Sequence, residues 1–259
     1  KGQKVVVYPL IPCKSCYSCK NGMFHLCDNY NYIGSRCDGG FAEFVKCPEE
    51  NIVLIPDEVS LEDAALTEPC SVSLHGVLKA GIKSGDTVVV YGLGTIGIFV
   101  AQWARLFGAE NIIGIDTDAY KFGIAKNLGV DACTSTDDIK EARKGADAVF
   151  ECAGTVSTQE KCILTAKKCG KIVLLGNSEG DLTIRKENVP LILRKELSIM
   201  GSWNSTIKDD WKKSISCMQS GMIKCSEMVT HRKKLSEIKN VFLEMHQKSY
   251  PYLKINFVI

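Results

Sequence analysis

The sequence predicts an α/β chain in which a doubly wound parallel sheet is joined to a smaller, β-rich and incomplete second domain. Three observations carry that expectation. From residue 86 onward the strand-like runs Thr87–Tyr91, Ile112–Ile115, Ala132–Thr134, Ala148–Glu151, Lys171–Leu175 and Leu197–Met200 alternate with helix-length segments, the rhythm of parallel strands joined by crossover helices. A glycine-rich turn, Gly92-Leu93-Gly94-Thr95-Ile96-Gly97, links the first of these runs to the first helix. Upstream, residues 9–40 are loop-like and rich in Cys, Gly, Asn and Ser, so the front of the chain belongs to a different kind of structure.

Taken in order, Lys4–Tyr8 is strand-like, and Phe41–Val45 and Ile52–Ile55 have strand composition bounded by Gly40 and Pro56. Ser60 is placed to cap a helix opening at Leu61-Glu62-Asp63, and Val72, Leu74, Val77 and Leu78 suggest a further helix stopped at Gly81. The helix after the glycine turn carries Ile96, Val100, Ala101, Ala104 and Leu106 at helical spacing, with Gly108 at its stop. Beyond Trp203 the sequence predicts helices around Trp211–Met218 and Ser236–Gln247, and a closing strand, Tyr252–Val258, that returns to the first domain. The expected organisation is therefore a first domain at 1–70, including the loop 9–40, a parallel-sheet domain at 71–203, and a segment at 204–259 that rejoins the first.

Composition narrows the function classes. With 32 Lys and Arg against 30 Asp and Glu the chain has no basic surplus, so nucleic acid is not an expected partner. No apolar run reaches the roughly 18 residues of a membrane span, and Lys1-Gly2-Gln3-Lys4 does not open a signal peptide. The 13 cysteines, an odd number, read as a metal site plus reduced thiols, and hence as a cytoplasmic chain with no membrane partner.

Four of those cysteines, Cys13, Cys16, Cys19 and Cys27, follow the spacing C-x2-C-x2-C-x7-C, which can bring four thiolates to one centre. Tetrahedral zinc takes such a set with no open position, which makes the site structural. An iron–sulfur cluster is the rival reading, although its bacterial motif usually has Pro after the last Cys and Asp28 stands there.

The glycine turn points to a dinucleotide. Gly92 permits a tight turn, Gly94 lets backbone approach a pyrophosphate, Gly97 lets helix pack on strand, and the phosphates would sit at the helix N-terminus. Asp116, nineteen residues past Gly97, is placed to accept hydrogen bonds from ribose hydroxyls. Thr117 and Asp118 offer no cation for an extra phosphate, which favours NAD over NADP. Cys152-Ala153-Gly154 and Leu175-Gly176-Asn177 fall at later strand ends, where this fold places cofactor contacts. The candidate cofactor residues are Gly92, Gly94, Thr95, Ile96, Gly97, Asp116, Lys121, Cys152, Ala153, Leu175 and Gly176.

A four-cysteine loop upstream of a dinucleotide fold resembles the zinc-containing medium-chain dehydrogenases, from residue 1 to 259. The resemblance implies a GroES-like catalytic domain, a Rossmann domain and a rejoining C-terminal stretch. Ile33-Gly34-Ser35-Arg36, Asp38–Glu43, Leu193–Leu197 and Gly201-Ser202-Trp203-Asn204 look most like the branch acting on galactitol 1-phosphate, with sorbitol and threonine dehydrogenases sharing the scaffold less closely. It implies a second, catalytic zinc held by a Cys, a Gly-His-Glu segment and often a further Glu. Only that last residue, Glu68 in Thr67-Glu68-Pro69, has a counterpart, and none of His25, His75, His231 and His246 has a Glu after it.

The expectation is that about eighty residues of the catalytic domain are missing in front and that this chain alone is nearly inactive. In a complete enzyme Glu68 would sit beside the metal, Trp203 and Asn204 would border nicotinamide and substrate, and Arg36 would hold a phosphate monoester through its guanidinium fork. The resemblance implies hydride transfer between a polyol, or polyol phosphate such as galactitol 1-phosphate, and NAD, in a homo-oligomer, dimer or tetramer. The alternatives are a sorbitol, L-iditol or other polyol dehydrogenase, or a non-catalytic module that binds zinc and NAD.

Overall fold

The computed structural model describes residues 1–134, 145–178 and 180–259, and the chain divides into two compact units: Lys1–Ser71 with Asn204–Ile259, and Val72–Trp203.

In the first unit the strands are short and paired two by two. β1 (Val5–Val7) runs antiparallel to β4 (Ile52–Leu54), and β2 (Leu10–Ile11) antiparallel to β3 (Asn31–Tyr32). Pro9 separates β1 from β2 and Pro12 follows β2, and a residue without an N–H cannot continue a ladder. Asn51 restores the lost pairing: its buried Nδ2 donates to the carbonyls of Tyr8 and Leu10 at 2.7 and 2.8 Å. Tyr8, Leu10 and Trp211 make a small core, with the Tyr8 and Trp211 rings edge-on at 5.2 Å. The loop 9–40 also contains a short helix, α1 (Tyr17–Lys20). Ser60 caps α2 (Leu61–Ala64), its hydroxyl accepting from the Asp63 N–H at 3.0 Å. The next helix, α3 (Thr67–Ala80), opens five residues before the first residue of its predicted apolar stripe.

The second unit holds a parallel sheet of β5 (Thr87–Tyr91), β6 (Asn111–Ile115), β7 (Ala132–Thr134), β8 (Ala146–Glu151), β9 (Ala166–Leu174) and β10 (Ser198–Gly201), in the order β10-β9-β8-β5-β6-β7. This is the doubly wound sheet the alternation predicted. Val88, Val89 and Val90 are all fully buried, as expected where helices cover both faces of a central strand. α4 (Thr95–Leu106) buries every residue from Gly97 to Ala104. Strand order reverses at β5, between β6 and β8, so a crevice opens beyond the carboxyl ends of β5 and β8.

The C-terminal stretch places β11 (Val229–Lys234) parallel to β12 (Lys254–Val258), and the helix predicted around Trp211–Met218 begins as a π-turn at Ile207–Trp211 before the α-helix Lys212–Gln219. One expectation fails. Phe41–Val45 is not a strand but a bend followed by irregular chain, with Phe44 89% exposed. A strand is held by ladder partners, and none of the pairings formed by the described residues includes this segment. Phe41 instead packs edge-on against Phe242 and Phe257, at 5.7 and 5.6 Å.

Candidate metal centre and dinucleotide crevice

The four cysteines of the predicted metal loop converge. The Sγ atoms of Cys13, Cys16, Cys19 and Cys27 all lie within 4.8 Å of one another, and those of Cys16 and Cys27 are 3.9 Å apart. Four sulfurs bound at about 2.3 Å to a tetrahedral zinc stand about 3.8 Å from each other, so the set has the right size for one such ion. Local backbone explains the convergence. Lys14 takes a left-handed conformation at φ 61°, which turns the chain between Cys13 and Cys16. Cys16 caps α1, its sulfur accepting from the Cys19 N–H at 3.5 Å, while the Cys13 N–H donates to the Cys27 sulfur at 3.2 Å.

Two of the thiols, Cys13 and Cys19, respond to their surroundings in opposite directions. The Ser15 hydroxyl, aided by the Ser15 and Cys16 amides, lowers the Cys13 pKa to about 6. Burial pushes Cys19 up to about 12.

Glu68 stands in the first turn of α3, where the helix dipole favours an acid. Burial raises its pKa, opposed by a hydrogen bond from the Tyr32 hydroxyl to Oε1 at 3.2 Å and by the charge of Lys254. Burial in turn lowers the Lys254 pKa, which the charge of Glu68 opposes, and it raises Tyr32 above the usual phenol range. Tyr32 and Lys254 were not readable as site residues from sequence, because nothing local ties β3 or β12 to α3. Among the described residues, the four cysteines are the group of three or more His, Cys, Asp or Glu side chains that could close on a metal, and Glu68 does not belong to such a group.

The crevice of the parallel sheet is a cavity of about 420 Å³ lined by Tyr91, Gly92, Gly94, Ile115, Asp116, Thr117, Lys121, Cys152, Ala153, Thr155, Ser157, Thr158 and Lys161. Gly92 has φ 91°, and a Cβ there would lie 2.6 Å from the Ala153 nitrogen. A Cβ on Gly97 would lie 1.8 Å from the Gly92 oxygen, whereas one on Gly94 would meet nothing within 4 Å. Gly94 caps α4, so the unpaired N–H groups of the Thr95–Gly97 turn begin at the cavity wall.

Asp116 is 8% exposed and already fixed: Oδ2 accepts from the Leu93 N–H at 2.7 Å and Oδ1 from the Asp118 N–H at 2.8 Å. Thr117 and Asp118 supply no cation, but Lys121 reaches back, its Nζ 3.2 Å from Asp116 Oδ2. Cys152 and Ala153 line the cavity, and the Leu175 and Gly176 amides both donate to the Glu151 carbonyl at 2.9 Å. Thr155, Ser157, Thr158 and Lys161 were missed. They belong to an ordinary polar helix start, and sequence offers no signal that sets them apart.

The remaining predicted residues lie elsewhere. The Arg36 guanidinium sits 3.8 Å above the Tyr30 ring and donates to the Tyr30 carbonyl at 2.7 Å. Trp203 is half exposed, and Asn204, at φ 53°, donates to the His25 carbonyl at 3.3 Å.

Comparisons with known proteins give the family. Residues 1–57 match the alcohol dehydrogenase GroES-like domain family, and residues 95–220 match the zinc-binding dehydrogenase family. The chain is 27% identical over 262 residues to galactitol 1-phosphate 5-dehydrogenase of Escherichia coli K12, covering 96% of this chain and 76% of that protein. It is 33% identical over 235 residues to a sorbitol dehydrogenase of Halalkalibacterium halodurans, covering 87% and 67%. The crystal structure of a zinc-binding dehydrogenase of Sinorhizobium meliloti bound to NADP superposes with a TM-score of 0.89 at 30% identity, over all of this chain and 77% of that one.

Proposed function

We infer the function from the family to which this chain belongs, the zinc-binding alcohol dehydrogenases: it binds zinc at a structural site and NAD in its sheet crevice, and serves hydride exchange with a polyol or polyol phosphate. The observation that carries this reading is the presence in one chain of the four-thiol cluster and of a crevice walled by Gly92, Gly94 and Asp116.

NAD, when bound, accepts the hydride. The chain's own residues would hold it: amides at the start of α4 would take the pyrophosphate, and Asp116 the adenosine ribose. Cys152, Ala153, Leu175 and Gly176 present the strand ends to the second nucleotide. Zinc at Cys13, Cys16, Cys19 and Cys27 would cross-link the 9–40 loop, a folding role.

A catalytic zinc takes three protein ligands and an open position. The described residues do not fit that requirement, so no step is assigned to such an ion. Glu68 is the acid retained for the substrate side. Burial raises its pKa against the opposing Tyr32 hydrogen bond and Lys254 charge, so it holds a proton to higher pH than an exposed glutamate does.

The finer substrate reading is galactitol 1-phosphate, supported by the 27% identical relative of that activity and by Arg36, whose exposed fork suits a phosphate monoester. Sorbitol or another polyol is the alternative. The cysteines are all free, which supports a cytoplasmic setting, and the expected assembly is a dimer or tetramer, measurable by sedimentation.

The test is an NADH absorbance assay with galactitol 1-phosphate, galactitol and sorbitol, using NAD and NADP, on the full-length enzyme and on its Arg36→Ala variant. The phosphate reading expects the efficiency ratio of galactitol 1-phosphate to galactitol to fall about tenfold or more in the variant, and an unchanged ratio removes it. NADH binding without turnover of any polyol would favour a cofactor-binding module over an enzyme.

A further inference from the structure

Glu151, the last residue of β8, is fully buried, yet among the described residues no Lys, Arg or His lies within ion-pair distance of it. Its carboxylate is occupied by backbone. Oε1 accepts from the Ala153 N–H at 3.0 Å, the Gly154 N–H at 2.9 Å and the Thr158 hydroxyl at 2.7 Å. Its main-chain carbonyl accepts from the Leu175 and Gly176 amides, both at 2.9 Å. Oε2 is buried without a hydrogen-bond partner, and a Cβ on Gly176 would lie 2.5 Å from it. A Cβ on Gly176 would also lie 2.3 Å from the Gly154 nitrogen, and one on Gly154 would lie 2.9 Å from the Asn177 oxygen. One acid thus joins the turn after β8 to the turn after β9, in a place so tight that both turns need glycine.

A core built for stability alone has little use for this arrangement, because a buried carboxylate with an empty oxygen is costly. The location supplies a use. Cys152, Ala153 and Thr158, immediately around the carboxylate, line the crevice. In a doubly wound sheet the turn after the first strand and the acid ending the second hold the adenosine half, which leaves the turns after β8 and β9 to the second nucleotide.

We propose that Glu151 is a positioning residue for the nicotinamide half of the dinucleotide: its Oε1 gathers the 153 and 154 amides and Thr158, its carbonyl gathers the 175 and 176 amides, and together they set the two turns at the spacing the cofactor needs. This rests on the dinucleotide reading of the crevice. It goes beyond that reading by making a residue that does not touch the cofactor control one half of it.

The experiment compares NADH with ADP-ribose, which carries the adenosine half and both phosphates without nicotinamide, by calorimetric titration of the unsubstituted chain and of Glu151→Leu, Glu151→Gln and Thr158→Val. Zinc content and thermal midpoint are measured alongside. Loss of the acceptor in Glu151→Leu is expected to weaken NADH about tenfold or more while ADP-ribose binds as before. Glu151→Gln keeps the acceptor and is expected to restore NADH to within about threefold. Thr158→Val, which leaves the acid in place, is expected to fall between them and keeps the test alive if the Leu variant does not fold. Equal weakening of both ligands, or no weakening of either, overturns the role of Glu151. Failure of the unsubstituted chain to bind either ligand overturns the dinucleotide reading itself, and the proposal with it.

Discussion

Gly94 and Gly97 stand three residues apart in one motif and answer to different constraints. Gly97 is demanded by the fold, since its Cβ would have to occupy the position of the Gly92 oxygen, 1.8 Å away, and that neighbour is backbone and cannot swing aside. Gly94 has φ −73°, open to any residue, and its Cβ would point into empty space at the cavity. Gly97→Ala should therefore destabilise the chain by about 3 kcal/mol or more, toward the upper end of overpacking costs. Gly94→Ala should leave the thermal midpoint unchanged and weaken NADH about tenfold or more, because the new methyl stands where pyrophosphate approaches. Equal midpoints for both variants would overturn the assignment. The motif, Asp116 and the four cysteines were legible because each is a local pattern with a fixed spacing. Glu151, Thr158, Tyr32 and Lys254 were not, because their roles depend on which distant segment folds against them. Lys121 lies between these cases: its approach to Asp116 needs a helical turn just past the residues on which the cofactor preference was argued.

At the scale of elements, the loop 9–40 carries the β2 and β3 pair and the cysteine cluster, and zinc held there would cross-link it. Zinc binds thiolates, and the cluster without metal starts with Cys13 largely ionised at pH 7 and Cys19 protonated. Metal binding must then displace protons, that of the buried Cys19 among them, so apparent zinc affinity should fall as pH drops from 8 toward 6. The enthalpy of zinc binding at pH 7 should also vary with the ionisation enthalpy of the buffer. Titration calorimetry in two buffers checks this, with about one zinc per chain expected. A buffer-independent enthalpy would mean that the thiols are already ionised. Among the elements, β5, β6 and β8 were readable because strands covered on both faces are written as near-continuous apolar runs. Phe41–Val45 has apolar composition too and misled, since it joins no ladder and its apolar side chains stand exposed. Phe41 meets the Phe242 and Phe257 rings from the far end of the chain and is still 64% exposed.

At the scale of the whole molecule, the two proposed ligands fall in different compact units. All four thiols belong to the unit Lys1–Ser71 with Asn204–Ile259, and every residue lining the crevice belongs to Val72–Trp203. A ligand that binds only the folded form stabilises the cooperative unit containing its site, by about 2.7 kcal/mol at a hundred times its dissociation constant. If each unit unfolds as its own cooperative block, a two-state description of the chain fails, and calorimetry should resolve two transitions that respond to different reagents. Zinc chelation should lower one and leave the other in place. Excess NADH should raise the second alone, and Gly94→Ala should cut that rise to about half or less without touching the zinc-sensitive transition. A single transition moved by both reagents would show instead that the units unfold together, and that zinc in the 9–40 loop stabilises the cofactor crevice through the cooperativity of the whole chain.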